Sequence, residues 1–331
     1  MESTLEEAVE RSADPASVGR AIAGIADLHP DARVRLAADP RLRQAVVSVT
    51  GASRFLTRLL LADDQALTVL SALDERPPVD RDDGAALARW KRLELLRVAG
   101  RDLTGLDPLE AVGTNLARLG EDVLDGAWRL AGAPPMAVIG MGKLGASELN
   151  YASDIDVMFV GEGDARRLLE VGRSCFRVDA DLRPEGRSGP LVRSLASYEA
   201  YWDRWAEPWE FQALLKARWV AGEADLGAAF EAAASERVWN RPFGAEELRS
   251  VRAMKARAEG EVAKRGLTER EVKRGRGGIR DIEFAVQLLQ LVHGRNDESV
   301  RSPTTLDALH ELAAGGYVDR SDAERLDRAY R

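Results

Sequence analysis

The chain has 331 residues, 45% of them hydrophobic, enough for two or three packed units. A net charge of −8 argues against a general nucleic-acid binder, and one cysteine, Cys175, excludes a disulfide framework and fits a reducing compartment. No stretch approaches ~20 uninterrupted apolar residues, so none reads as a membrane span. The acidic opening MESTLEEAVERSADPAS lacks the plan of a signal peptide, so a cytoplasmic location is expected.

Taken in chain order, residues 1–75 read as helices, with apolar positions three and four apart in VGRAIAGIADL and FLTRLLLADDQALTVLSAL. A polar, Pro-containing linker, DERPPVDRDDG, covers 74–84. Helix is expected again from about Ala85 to Leu130, interrupted near TGLDP and stopped by AGAPP. The period then changes. MAVIG (136–140) reads as a short buried strand and DIDVMFV (154–160) as a second. A short helix over 164–174 and a third strand over 176–184, FRVDADLRP, follow. From Ser194 onward the pattern is helical, including YWDRWAEPWEFQALLKARWVAG, where Trp205, Trp209 and Leu214 are expected to pack on the sheet. The last segment, AERLDRAYR, reads as a helix with no stop signal, the pattern expected of a fragment of a longer protein.

Asp154 and Asp156 stand out because they interrupt an apolar strand. Side chains on a strand alternate faces, so the two carboxylates share a face, roughly 6.5–7 Å apart. That spacing suits a pair of divalent ions, which sit ~3.5–4 Å apart in two-metal sites. The third strand offers Asp179 and Asp181, one of which must face the same way to complete the cage. Oxygen-only ligation favours Mg²⁺ over zinc. Just before the pair, Gly140, Gly142, Lys143 and Gly145 form a glycine turn after a strand, a loop type that lets phosphate approach backbone N–H groups, with Lys143 as a nearby charge. It lacks the order of a Walker A loop.

The stretch GMGKLGASELNYASDIDVMFV resembles the signature of the glutamine synthetase adenylyltransferases, within the polymerase-β-like nucleotidyltransferase superfamily. The resemblance continues in RVDADLRPEGRSGPLVRSLASYEAYWDRWAEPWEFQALLKAR and VKRGRGGIRDIEFAVQLLQLVHGR, and covers roughly residues 90–310. It implies an α+β fold: a small mixed β-sheet of the polymerase-β-like nucleotidyltransferase type embedded in a mostly helical chain. The expected division is an N-terminal helical region with linker (1–84), a nucleotidyltransferase domain (85–235) and a C-terminal helical region (236–331).

The family carries two related modules, one attaching AMP to a tyrosine of glutamine synthetase and one removing it by phosphorolysis with release of ADP. A single metal motif behind a helical N-terminal region fits the first module, and Asn150 ahead of Tyr151 resembles the removing one. The resemblance implies Asp154, Asp156 and Asp179 as catalytic metal ligands for two Mg²⁺ or Mn²⁺ ions, with Asp181 as the alternative to Asp179. It places nucleotide or phosphate contacts at Gly142, Lys143, Gly145, Ser153, Arg183, Lys216, Arg218 and Arg280. Ala146 departs from the family, where a glycine is usual. The implied partners are glutamine synthetase, phosphate, ADP or ATP, and a PII-type signalling protein. ATP-dependent adenylylation by the same fold, or a silent nucleotide-sensing module, are the alternatives. Finally, residues 249–280 carry eleven Lys/Arg against four Asp/Glu, a local +7 that leaves −15 for the remainder. Arg276 and Arg280 there flank GGIR ahead of a helix, an arrangement suited to an anion.

Overall fold

A computed structural model describes residues 4–264, 266, 271–273 and 275–331. Arg265, Arg270 and Arg274 of the basic segment lie outside the described residues. The chain divides into two compact units, Met1–Gly126 and Ala127–Arg331.

The first unit is all helix: α1 (Leu5–Glu10), α2 (Pro15–Leu28), α3 (Ala32–Ala38), α4 (Pro40–Ala52), α5 (Arg54–Leu60), α6 (Ala66–Ser71), α7 (Gly84–Leu103) and the start of α8 (Leu109–Leu130). Caps mark several starts as the sequence dictates. Asp14 and Asp39 each precede a proline at the first helical position, and Asp83 accepts from Ala85 N and Ala86 N where the linker ends. The core is aliphatic, with Ile25, Leu36, Leu60, Leu67 and Leu96 fully or nearly fully buried. Glu94 is buried among them, and its charge is met by Arg97 (Nη2 2.7 Å) and Arg76 (Nε 2.9 Å), as a buried carboxylate requires.

The second unit wraps a sheet in helices. Its elements are β1 (Met136–Gly140), α9 (Gly142–Gly145), β2 (Ile155–Gly161), α10 (Arg166–Cys175), β3 (Val178–Asp179), β4 (Val192–Arg193), α11 (Leu195–Arg204), α12 (Pro208–Leu214) and β5 (Arg218–Gly222). Helices α13 (Ala224–Asn240), α14 (Ala245–Lys264), α15 (Ile279–His293), α16 (Thr305–Ala314) and α17 (Arg320–Tyr330) complete it. Strand order is β3-β2-β1-β5, with β4 also on β2. β1 runs antiparallel to β2 and β5, while β3 and β4 run parallel to β2. The sheet is therefore mixed, as expected.

Three expectations are corrected. The third strand is only Val178–Asp179; the chain then leaves the edge of β2 and returns to it at β4. Arg218–Gly222, read as helix, is a strand, because pairing with β1 outweighs the helical run before it. Trp205 is 73% exposed and does not pack on the sheet. The aromatic layer is instead Tyr198, Trp202 and Phe230, with ring centroids 5.2–5.6 Å apart. These rings share a core with Ala137 and Ile139 of β1 and Met158 and Val160 of β2. Asp156 has the same parity as Met158 and Val160, so it stands at the open end of that face.

Candidate active site

The register of β2 and β3 sets the site. Ile155 pairs with Val178 and Asp156 with Asp179, so the two carboxylates lie side by side on neighbouring strands. Asp181 lines the same cleft, but its carboxylate is paired, with Arg187 Nε 2.6 Å away, and its own N–H donates to Asp179 Oδ1 at 2.8 Å. Asp154 immediately precedes β2 and is exposed, its carboxylate 2.5 Å from Arg177 Nε. Burial pushes the Asp156 carboxyl up to about 6, aided by the neighbouring charges of Asp179 and Asp154 and opposed by Lys273 and Arg280. Those opposing charges bring the loop before α15 to the site. Lys273 was not singled out from the sequence; its signals were membership of the basic run and of the family-like stretch VKRGRGGIRDIEF.

The turn between β1 and α9 packs directly on this cluster. Met141 N donates to Asp156 O at 2.9 Å. Gly142 has φ +54°, which favours glycine, and a Cβ there would lie 2.8 Å from Asp156 Oδ2, so a side chain would push that carboxylate aside. At Gly145 a Cβ would meet Lys216 O at 1.8 Å; this glycine is required by the backbone of the neighbouring segment. Ser153 donates to Asn150 Oδ1 at 2.6 Å and shapes the loop that delivers Asp154.

The basic side chains sort into two groups. Lys143 sits 2.7 Å from Glu283 Oε1, Lys216 is buried against Glu148 and Thr305, and Arg218 donates to Gly145 O and Leu144 O. Arg183 donates to Ala180 O and Gly189 O, holding the loop between β3 and β4. These four spend their donors on the protein. Arg280 is exposed, stacks over Phe284, and acts electrostatically on Asp156. A cleft of about 580 Å³ opens beside the cluster, walled by Asp154, Asp179 and Asp181 and by arginines of α10 and the following loop, among them Arg173 and Arg177.

Among the described residues, no group of three or more His, Cys, Asp or Glu side chains is placed to hold a metal ion. The donor set nevertheless suits a hard divalent cation. It is all oxygen, and Asp156 is raised first by burial and then by the charges of Asp179 and Asp154 beside it, which a bound cation would offset.

Residues 35–174 and 170–233 match the family described as Glutamate-ammonia ligase adenylyltransferase. The chain belongs to the glutamate-ammonia ligase adenylyltransferase family. Residues 249–331 additionally match GlnD PII-uridylyltransferase. The bifunctional glutamine synthetase adenylyltransferase/adenylyl-removing enzyme of Streptomyces coelicolor is 41% identical, aligned over 99% of this chain and 38% of its own length. Those of Streptomyces avermitilis (44% identical, 89% of this chain, 33% of the relative) and Mycobacterium avium (38%, 98% and 37%) are similar. The chain thus spans about a third of the curated relatives it matches. Family membership bears out the resemblance read from the sequence. In this adenylyltransferase-family chain, the Asp154–Asp156 pair, the glycine turn and Asp179 all fall inside the matched residues. No helix of the described residues is long and apolar enough to cross a membrane.

Proposed function

We propose that this chain removes AMP from an adenylylated tyrosine of glutamine synthetase by phosphorolysis, taking up inorganic phosphate and releasing ADP. The observation that carries the reading is the in-register pair Asp156–Asp179 beside the Gly142 turn, with Asp154 two residues upstream. Divalent cations, Mg²⁺ or Mn²⁺, held by Asp154, Asp156 and Asp179 would screen the charge on the adenylyl phosphate oxygens. Lys273 and Arg280 draw phosphate toward the cluster by charge. An oxygen of phosphate attacks the adenylyl phosphorus in line, the P–O bond to tyrosine breaks, and the phenolate leaves to be protonated by solvent. The balance is adenylyl-O-tyrosine plus phosphate giving ADP plus free tyrosine: the new P–O bond to phosphate replaces the one to the phenol oxygen. Arg177 must release Asp154 for the three carboxylates to act together.

The match of residues 249–331 to a PII-uridylyltransferase supports a PII-type protein as regulatory partner. An end-point assay decides the direction. With Mg²⁺, adenylylated glutamine synthetase and phosphate, phosphate-dependent ADP is expected. Label transferred from ATP to unmodified glutamine synthetase, without phosphate-dependent ADP, would show adenylylation instead. Neither product would leave the nucleotide-sensing reading.

A further inference from the structure

Beneath the glycine turn lies a buried set of charges that no chemistry above uses. Lys143 Nζ is 2.7 Å from Glu283 Oε1 and donates to Tyr330 OH at 2.9 Å, while Tyr330 OH donates to Glu283 Oε1 at 3.0 Å. The ammonium also lies 5.3 Å from the Tyr330 ring centroid. Alongside, Glu148 pairs with Lys216 and accepts from Thr305 N at 2.8 Å and Thr305 Oγ1 at 2.9 Å. The two halves feel each other: Glu148 acts on Tyr330, and Lys216 on Glu283. Two lysines and two glutamates are thus neutralised in one network, as buried charge demands.

The membership is informative. Lys143, Glu148 and Lys216 belong to the segment matching the adenylyltransferase family; Glu283, Thr305 and Tyr330 come from α15, α16 and α17, within the segment matching PII-uridylyltransferase. Lys143 directly follows Gly142, where a Cβ would lie 2.8 Å from Asp156 Oδ2, and Met141 N before it donates to Asp156 O at 2.9 Å. Any displacement of Lys143 therefore moves the turn against Asp156.

We infer that Lys143 is a positioning residue: Glu283 and Tyr330 clamp it, so the C-terminal helices fix the glycine turn against Asp156 and set the geometry of the carboxylate cluster. The inference rests on the reading of that cluster as the cation-dependent adenylyl-transfer site.

The test uses the 331-residue chain with Glu283→Gln, Tyr330→Phe and Lys143→Arg. It reads Mn²⁺ affinity by titration of the free-ion spin resonance signal, kcat and KM in phosphorolysis, and Tm. Glu283→Gln should weaken Mn²⁺ binding and lower kcat by about 10-fold or more, with KM for phosphate within about twofold, the range seen when a ligand's supporting partner is removed. Tyr330→Phe, which keeps the ion pair and the ring, should show a smaller loss of the same kind, and Lys143→Arg should retain most of both. If Mn²⁺ affinity and kcat stay at the wild-type level well below Tm, however far Tm falls, the network is only structural and the inference is overturned. A wild-type chain that binds Mn²⁺ but forms no ADP would refute the proposed reaction, while the Mn²⁺ titrations still decide the clamp. A wild type that binds no Mn²⁺ and forms no ADP would overturn both.

Discussion

Asp156 carries charge that burial and two neighbouring carboxylates both resist. Asp156→Asn should abolish turnover and, in divalent-free buffer at pH 7, stabilise the fold by about 1–2 kcal/mol, allowing for the solvent that still reaches the group. Asp154→Asn should also abolish turnover. Its stability effect should stay within about 0.5 kcal/mol, because the carboxylate is exposed and its Arg177 pair is a surface one. Denaturant titration of both variants, with ADP release measured in parallel, separates the two; equal stability changes would contradict the burial argument. The glycines differ in the same way. Gly145→Ala drives a methyl group into Lys216 O and should cost several kcal/mol, whereas Gly142→Ala should lose activity out of proportion to stability. Asp154, Asp156 and the glycine turn were legible in the sequence because strand alternation and turn chemistry are local. The partners of Lys143 and Lys216 were not, since they lie between 68 and 187 residues away and nothing local encodes them. A lysine after a glycine turn reads as a phosphate contact until its distant glutamate is seen.

Helix α15 shows what an element contributes beyond its own pattern. It delivers Glu283 to Lys143, and although burial works to raise that carboxyl, Lys143 and Lys216 outweigh it and hold it below the usual glutamate range. A depressed folded-state value contributes stability that is present above the unfolded value of about 4.3 and is lost as pH falls through the folded one. The stability gap between the wild type and Glu283→Gln should therefore be largest near neutrality and shrink on acidification below about pH 4, with Tyr330 and Glu148 completing the surroundings of the pair. Thermal melts from pH 7 to pH 3 check this, and a gap that widens on acidification would reverse the sign. Strands β1 and β2 were legible as short apolar runs bounded by turns. β5 was not, because five residues trailing a helical stretch carry no clear period, and pairing with β1 alone makes them a strand. The third strand was read too long: the segment contains real sheet, yet only two residues keep the register that sets Asp179 beside Asp156.

At the scale of the whole molecule the charge is arranged against its own sum. The chain carries −8, yet residues 249–280 carry +7, and two described members of that segment, Lys273 and Arg280, act on Asp156. A protein of net negative charge repels anions at long range, so under the proposed reaction a basic segment at the site would offset that repulsion for phosphate. Raising ionic strength from about 0.01 M to about 0.1 M shortens the screening length from about 30 Å to about 10 Å, which weakens attraction from charges that do not touch the ligand. In the proposed phosphorolysis, KM for phosphate should therefore rise severalfold over that range while kcat changes little. The double variant Lys273→Ala/Arg280→Ala should start from the higher KM and respond less to salt, because the attraction being screened has already been removed. Steady-state kinetics across a KCl series in both proteins measures this. Equal salt responses would mean that the segment is a solvated helix face whose charge faces away from the incoming anion, and that phosphate is gathered instead by the arginine wall of the cleft beside Asp179.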